Sequence, residues 1–155
     1  MDLFDKFLRL IQSMEDEGVE YILIGGYAII LHGFLRATQD VDFFVNPSEE
    51  NLNKLRKALK SVYKDDAIDE ITSKELMQYA VIRYGTEDGF SIDLIARIGE
   101  AFQFSDLQYE KKVINGISLK IATAQTLYKL KKNTYREIDQ MDIQFLLRKM
   151  EKNAD

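Results

Sequence analysis

The chain has 155 residues, of which 46% are apolar and 30% are charged, and its formal net charge is −5. This length sets an upper bound of one ordinary domain, or one with a small appendage, and this composition is globular rather than disordered. The absence of cysteine excludes a disulfide scaffold and any thiolate-bound zinc or iron–sulfur site. No apolar run approaches a membrane span, so we expect a soluble, cytoplasmic protein without membrane contacts.

The charge is distributed unevenly along the chain. Residues 1–108 hold 11 basic and 20 acidic residues, a balance of −9, whereas residues 109–155 hold 10 basic and 6 acidic residues, a balance of +4. The negative total disfavours nucleic-acid binding by electrostatics alone. An acidic body beside a basic tail suits a protein that holds a cation at one place and an anion near another.

The first half of the sequence predicts alternating helices and strands around a double glycine. Apolar residues recur every three or four positions over 2–17, which predicts an amphipathic helix capped by Asp2 and ended by Gly18. Ser48 has the side chain of an N-cap for a later helix. The predicted elements are helix 2–17, strand Val19–Ile24, helix Tyr27–Leu31, strand Val41–Val45 and a helix from Ser48 to Val62.

The second half predicts two hairpins and two closing helices. Residues 64–74 are charged and short of large apolar side chains, which predicts a loop. Asn115-Gly116 is the strongest hairpin signal. The predicted elements are strands Tyr79–Tyr84, Phe90–Ile95, Lys111–Ile114 and Ile117–Ile121, and helices 123–132 and 135–149. We expect a single α+β domain over 1–155 with a mixed β-sheet and flanking helices, on which the C-terminal helices over 123–150 pack.

Carboxylates occur inside two of the predicted strands, where aspartate is normally depleted. Asp40 and Asp42 alternate with apolar residues, so both project from the same face of their strand. Asp93 lies within another apolar run, 90–95, and neither run contains a basic residue. If the strands are neighbours, the three acids converge and repel one another unless a divalent cation holds them. Oxygen ligands favour Mg²⁺ or Mn²⁺ over zinc.

A strand enters a helix through Gly25-Gly26, upstream of the paired aspartates. Glycine lets the backbone approach a ligand closely, and the start of a helix offers unpaired N–H groups, so a phosphate fits there. A double glycine alone is a weak signal, and a plain tight turn explains it equally well. Its position before the aspartate pair makes the phosphate interpretation stronger.

The stretch from Gly25 to Asp42, GGYAIILHGFLRATQDVD, resembles the signature of the nucleotidyltransferase-fold superfamily, the polymerase-β-like group. In that group a glycine turn is followed by Asp-x-Asp in a strand, and a later strand supplies a third carboxylate. Together with the downstream segments 129–131 and 136–142, the chain looks most like the abortive-infection and minimal bacterial nucleotidyltransferases. The resemblance covers residues 19–45, 90–95 and 123–145.

The resemblance implies a role for each candidate residue. Catalysis and metal binding would fall to Asp40, Asp42 and Asp93, with Asp93 helping to deprotonate the acceptor hydroxyl. The nucleotide-binding residues would be Gly25, Gly26, Arg36, Thr38 and Lys129. Two Mg²⁺ or Mn²⁺ ions would stabilise the attacking and leaving oxygens of an in-line displacement. For Asp139 and Asp142 we expect a structural role instead, in which they pair with Arg136 and hold the last helix against the body.

The predicted function is therefore metal-dependent transfer of a nucleotidyl group from a nucleoside triphosphate to a hydroxyl acceptor. The sequence does not identify the acceptor, which could be transfer RNA or another RNA end, an antibiotic or a partner toxin protein. It also leaves open whether the protein forms a homodimer. The alternative is an antitoxin-like, partner-binding or nucleotide-binding domain of a toxin–antitoxin pair without general turnover.

Overall fold

The computed structural model describes residues 2–38, 40–98, 102–132 and 137–153, without the side chains of 137, 138 and 153. The described residues form six α-helices, eight strands and two short 3₁₀ segments. The helices are α1 (Leu3–Asp16), α2 (Gly25–Leu31), α3 (Glu49–Val62), α4 (Ser73–Gln78), α5 (Ala124–Lys131) and α6 (Glu137–Asn153). The strands are β1 (Tyr21–Ile24), β2 (Asp40–Val45), β3 (Val81–Gly85), β4 (Ser91–Ile95), β5 (Arg97–Ile98), β6 (Phe102–Gln103), β7 (Tyr109–Ile114) and β8 (Ile117–Ala122).

Six strands form one mixed sheet in the order β3-β4-β2-β1-β8-β7, and β5 pairs with β6 in a separate small hairpin. β2 runs antiparallel to β1 and parallel to β4, while β8 runs parallel to β1. The two outer strands, β3 and β7, are each joined to the sheet by an antiparallel neighbour. The predicted α+β class with a mixed sheet and flanking helices is confirmed.

Local sequence signals placed most element ends correctly. The Asp2 side chain accepts a hydrogen bond from the Asp5 N–H at 2.8 Å, and Ser48 caps α3 in the same way through Asn51. Asn115 and Gly116 both have positive φ, as expected for the tight turn between β7 and β8. The start of the predicted helix 135–149 lies outside the described residues.

The prediction that residues 64–74 form mainly a loop is wrong for Asp66–Glu70 and from Ser73 onward. Residues Asp66–Glu70 form a 3₁₀ turn, and α4 begins at Ser73 after Thr72, whose hydroxyl accepts from the Glu75 N–H at 3.2 Å. The segment has few apolar residues, but Ile68 and Ile71 are buried and anchor it to the body. The two buried isoleucines, the Thr72 cap and a hydrogen bond from Arg56 Nη1 to the Ile71 carbonyl hold this charged segment in place.

The core lies beneath the face of β2 opposite the aspartates. Val41, Phe43 and Val45 are fully buried, whereas Asp40 and Asp42 are half-buried on the other face, so the alternation predicted for this strand is confirmed. α1 packs against α3 and β8, and α6 packs against α5. In the described part of the chain, no helix is both long enough and apolar enough to cross a membrane.

Candidate active site

The three predicted carboxylates lie together on adjacent strands. Asp42 of β2 is the register partner of Asp93 of β4, and Asp40 is paired with Ser91 two positions earlier. Paired residues of neighbouring strands project to the same face, so Asp93 joins the face that carries Asp40 and Asp42. The predicted cluster required the strands of Asp42 and Asp93 to be neighbours, and the pairing of β2 with β4 meets this requirement.

Mutual repulsion among these acids is visible at Asp42. The pKa of Asp42 is raised from its ordinary value to about 7, first by burial and then by the charge of Asp93, a hydrogen bond with Asp93 and the charge of Asp40. Lys131 acts in the opposite direction and lowers this pKa. Near neutral pH the Asp42 carboxyl is therefore poised between its protonated and ionised forms, as expected where negative charges are close together.

An arginine from the neighbouring edge strand pairs with the cluster. Arg83 of β3 is the register partner of Asp93. Its Nε donates to Asp93 Oδ1 at 2.8 Å and its Nη2 to Asp93 Oδ2 at 3.1 Å, while Nη2 lies 3.5 Å from Asp40 Oδ2. These acids raise the pKa of Arg83, so it stays charged. Neither carboxylate-bearing run contains a basic residue, but the adjoining strand supplies one.

Among the described residues, no three or more histidine, aspartate or glutamate side chains are arranged to hold a metal ion as they stand. Asp93 has both carboxylate oxygens on Arg83, and Asp40 also faces this guanidinium. The donor set is nonetheless the all-oxygen set that Mg²⁺ and Mn²⁺ prefer. The pKa of Asp42 is raised first by burial and then by the neighbouring charges of Asp93 and Asp40, and a bound cation would offset both effects. The residues therefore fit a divalent ion once the Asp93 oxygens leave Arg83.

The Gly25-Gly26 turn lies directly against the carboxylates. Gly25 has φ +71°, and a Cβ added there would lie 2.8 Å from Asp42 Cγ and 3.0 Å from Asp42 Cβ. A Cβ at Gly26 would lie 2.5 Å from Arg36 Nη1 and 3.0 Å from Thr38 Oγ1. Asp42 therefore covers one glycine while Arg36 and Thr38 cover the other. The structure brings together all five of these predicted site residues.

Two buried aspartates of α6 form ion pairs with a lysine and an arginine side chain beside this turn. Lys131 Nζ lies 2.8 Å from Asp139 Oδ1 and 3.2 Å from Asp142 Oδ2. Arg36 Nη2 donates to Asp142 Oδ2 at 3.2 Å, and Arg36 Nε lies 3.0 Å from Asp142 Oδ1 outside hydrogen-bond geometry. The side chains of Asp139 and Asp142 are 1% and 0% exposed. The expected pairing with Arg136 falls on a residue outside the described part of the chain.

The C-terminal lysine at the site is Lys131, which sequence reasoning missed. With Gly25, Asp139 and apolar side chains of α5, Lys131 lines a cavity of about 150 Å³ beside the glycine turn. The predicted phosphate ligand, Lys129, is exposed. Residues two apart on a helix project to different sides, so only one of the two can face the site. The helical phase of α5, set by buried Leu127, is the signal that identifies Lys131.

Two larger cavities lie away from the carboxylates. One of about 390 Å³ lies beyond the other end of β2, lined by Asn46, Leu76 and Phe104 among others. Its charged residue, Arg97, donates a hydrogen bond to the Met77 carbonyl at 2.9 Å. That cavity has no grouping of titratable side chains comparable to the carboxylate row, so the chemistry of the described residues points to β2 and β4 instead.

Solved structures similar to this chain share the nucleotidyltransferase fold. The lincosamide antibiotic adenylyltransferase LnuA, solved with bound lincomycin, is 13% identical with a TM-score of 0.57 over 94% of this chain and 96% of its own. An antigenic nucleotidyltransferase-like protein from Paracoccidioides brasiliensis is 14% identical, with a TM-score of 0.53 over 92% and 74%. ANT(2")-Ia in complex with adenylyl-2"-tobramycin is 14% identical, with a TM-score of 0.53 over 93% and 87%.

The family itself is identified by sequence. Residues 1–84, more than half of the chain, match the family described as nucleotidyltransferase of unknown function (DUF6036). The chain belongs to this family of nucleotidyltransferases, which confirms the resemblance drawn from the glycine turn and the aspartate pair. No curated protein sequence matches the chain.

The raised pKa of Asp42 predicts how stability changes with pH. Because this pKa is about 7 in the folded protein and 3.8 ordinarily, the folded state binds more protons than the unfolded state between those values. Stability should therefore fall as the pH rises through this interval. Asp42→Asn should lessen the fall, whereas the exposed-site control Asp66→Asn should not. Urea unfolding of metal-free protein at several pH values tests this, and parallel curves for wild type and Asp42→Asn would contradict it.

Proposed function

We propose that this protein transfers a nucleotidyl group from a nucleoside triphosphate to a hydroxyl acceptor, with Mg²⁺ or Mn²⁺ held by Asp40, Asp42 and Asp93. The observation that carries the proposal is the contact of the Gly25-Gly26 turn with Asp42. A phosphate chain lying on this turn would be next to an ion held by the carboxylates. Membership of a nucleotidyltransferase family agrees with this chemistry.

The glycine turn and its neighbouring cations are suited to a triphosphate. Gly25 and Gly26 have no side chains of their own, and the groups that cover them are Asp42, Arg36 and Thr38, which can bind an ion or a phosphate. Arg36 lies over Gly26, and Lys131 lines the cavity beside Gly25. We assign to Lys131 the phosphate contact that the resemblance gives to Lys129, because Lys131 and not Lys129 lines the cavity beside Gly25.

Thr38 adds a hydroxyl beside the same turn. Its Oγ1 donates to the Asp40 carbonyl at 3.3 Å and accepts from the Asp40 N–H at 3.4 Å. Both hydrogen bonds are long, so a phosphate oxygen can compete for this hydroxyl. In the proposed site, Thr38 therefore fixes the start of β2 and contacts the phosphate chain.

The proposed reaction is an in-line displacement at the α-phosphorus. The acceptor oxygen forms a bond to the α-phosphorus, the bond from that phosphorus to the bridging oxygen of the β-phosphate breaks, and pyrophosphate leaves with the electron pair. Asp93 receives the hydroxyl proton on a carboxylate oxygen once this oxygen is released from Arg83. Bound divalent ions would supply Lewis-acid stabilisation of the attacking and leaving oxygens.

The acceptor is the open part of the proposal. Two structural neighbours are complexes, one with lincomycin and the other with adenylyl-2"-tobramycin. At 13% and 14% identity these likenesses establish the fold and not the acceptor. An acceptor panel should therefore contain both drugs, transfer RNA and the protein itself.

Transfer of radiolabel tests the function directly. With Mg²⁺ and the acceptor panel, label from an α-phosphate should appear on one acceptor, and label from the γ-phosphate should appear only in pyrophosphate. Asp42→Asn should abolish transfer because an amide binds metal more weakly than a carboxylate, whereas the exposed-site control Asp66→Asn should retain it. Label on no acceptor with any of the four nucleoside triphosphates, in Mg²⁺ or Mn²⁺, would contradict the proposal.

A further inference from the structure

The two arginines of the site are held in different ways. The Arg36 side chain is 12% exposed and its partner Asp142 is fully buried, so this pair is part of the packed structure. The Arg83 side chain is 61% exposed and projects from an edge strand. Asp93, in contrast, is buried, with a side chain 10% exposed, and Arg83 binds it through two parallel N–H donors. The guanidinium is therefore the partner of this pair that can move into solvent.

Arg83 nevertheless occupies the carboxylate that a second metal ion would need. Its guanidinium takes both oxygens of Asp93 and reaches Asp40 from the same side. A divalent cation and a guanidinium cannot both bind these oxygens through the same lone pairs. An ion that binds Asp93 through the lone pairs used by the guanidinium therefore requires Arg83 to move, and the exposed side chain of Arg83 has room to do so.

We propose that Arg83 is the built-in counter-cation of the carboxylate cluster and competes with the divalent metal for Asp93. This inference rests on the proposed function, since it concerns the same metal site. In the metal-free protein Arg83 offsets part of the repulsion among Asp40, Asp42 and Asp93. When the ion arrives it takes over this role, so Arg83 lowers the affinity of the site for metal.

The alternative is that Arg83 strengthens the site by keeping Asp93 correctly oriented. The two roles predict opposite effects of removing the guanidinium. Competition predicts tighter metal binding in Arg83→Gln, whereas orientation predicts weaker binding. Arg83→Lys keeps the charge but not the two parallel N–H donors, so under competition its affinity should lie between those of wild type and Arg83→Gln.

Binding of Mn²⁺ to the full-length protein, followed by the electron paramagnetic resonance signal of free Mn²⁺, distinguishes these roles without any enzyme assay. Arg83→Gln should bind Mn²⁺ at least about twofold more tightly than wild type, because losing the bidentate guanidinium frees both Asp93 oxygens. The gain should shrink at high salt, which screens the pair. The matched control is Arg97→Gln, because Arg97 donates to the Met77 carbonyl away from the carboxylates.

The outcomes separate this inference from the proposed function. If wild type binds Mn²⁺ but Arg83→Gln binds it equally or more weakly, the competition is overturned and the metal site stands. If neither binds Mn²⁺, both proposals are overturned. Should Arg83→Gln fail to fold, Arg83→Lys decides the matter, and an affinity no higher than that of wild type would overturn the competition.

Discussion

Asp142→Ala is expected to lower the free energy of unfolding by about 3–5 kcal/mol, because it removes the acid from a buried ion pair and leaves its partner charges uncompensated. Asp142 is fully buried and contacts both Arg36 and Lys131. Lys131 keeps its contact with Asp139, so most of the lost stability comes from the uncompensated charge of Arg36. Urea denaturation monitored by circular dichroism measures the change.

An exposed carboxylate on another helix provides the control. Glu50 pairs with Lys54 one turn later on α3, and its side chain is 83% exposed. Glu50→Ala should therefore change the free energy of unfolding by less than about 0.5 kcal/mol. If Asp142→Ala and Glu50→Ala lowered the free energy of unfolding equally, burial would not explain the contribution of Asp142 to stability.

A double substitution separates the structural role of this pair from its proposed binding role. Replacing a buried ion pair by apolar residues of similar volume is often neutral or stabilising. Arg36→Met combined with Asp142→Leu should therefore recover most of the stability that Asp142→Ala loses. The double variant should bind a labelled triphosphate more weakly than wild type, because the Arg36 guanidinium over Gly26 is missing. Full binding by the double variant would contradict the phosphate role of Arg36.

The sequence was informative wherever neighbours in the chain determine the structure. Alternation along β2 predicted that Asp40 and Asp42 share a face, and side-chain caps at Asp2 and Ser48 predicted two helix starts. The Asn115-Gly116 turn predicted a hairpin. Each of these features depends on dihedral preferences and hydrogen bonds within a few residues. The residue types and their spacing were therefore sufficient to predict them.

Long-range pairing could not be predicted in the same way. β2 and β4 are parallel neighbours although the segment between them contains two helices and another strand, so the meeting of Asp42 and Asp93 depended on strand order. Strand order follows from how all apolar faces pack together, and no local pattern encodes it. The family resemblance, rather than periodicity, supplied this expectation.

Arg83 was missed because a hairpin register is difficult to determine from sequence. The Thr86 N–H donates to the Phe90 carbonyl at 3.0 Å, so the turn contains residues 87–89 rather than the residues 85–89 that separate the predicted strands. This closure places Arg83 opposite Asp93, whereas a wider loop would place it opposite Ser91. Choosing Lys131 over Lys129 required the helical phase of α5, which depends on its packing.

The other large effect is expected at the glycine turn, where Gly25→Ala should lower the free energy of unfolding by about 2–5 kcal/mol. Part of this loss arises because φ at Gly25 is +71°, a conformation that side chains disfavour. The rest arises because the new Cβ would collide with the Asp42 carboxylate. Denaturant unfolding of the two proteins measures the total.

Gly18 separates the two contributions. Its φ is +70°, but a Cβ added there has no neighbour within 4 Å. Gly18→Ala should therefore show the backbone cost alone, about 1–2 kcal/mol. If Gly18→Ala and Gly25→Ala lose the same stability, the proximity of Asp42 to the turn has no energetic consequence.

A double-mutant cycle then assigns the additional loss to Asp42. Asp42→Ala removes the carboxylate that the Cβ of Gly25→Ala would meet, so Gly25→Ala should be less destabilising in that background, by about 0.5–3 kcal/mol. No coupling is expected between Gly18→Ala and Asp42→Ala. Coupling at Gly25 would mean that the residue is glycine because the carboxylate occupies the space of a side chain. The same closeness would bring a phosphate on the turn within reach of an ion on Asp42, as the proposed chemistry requires.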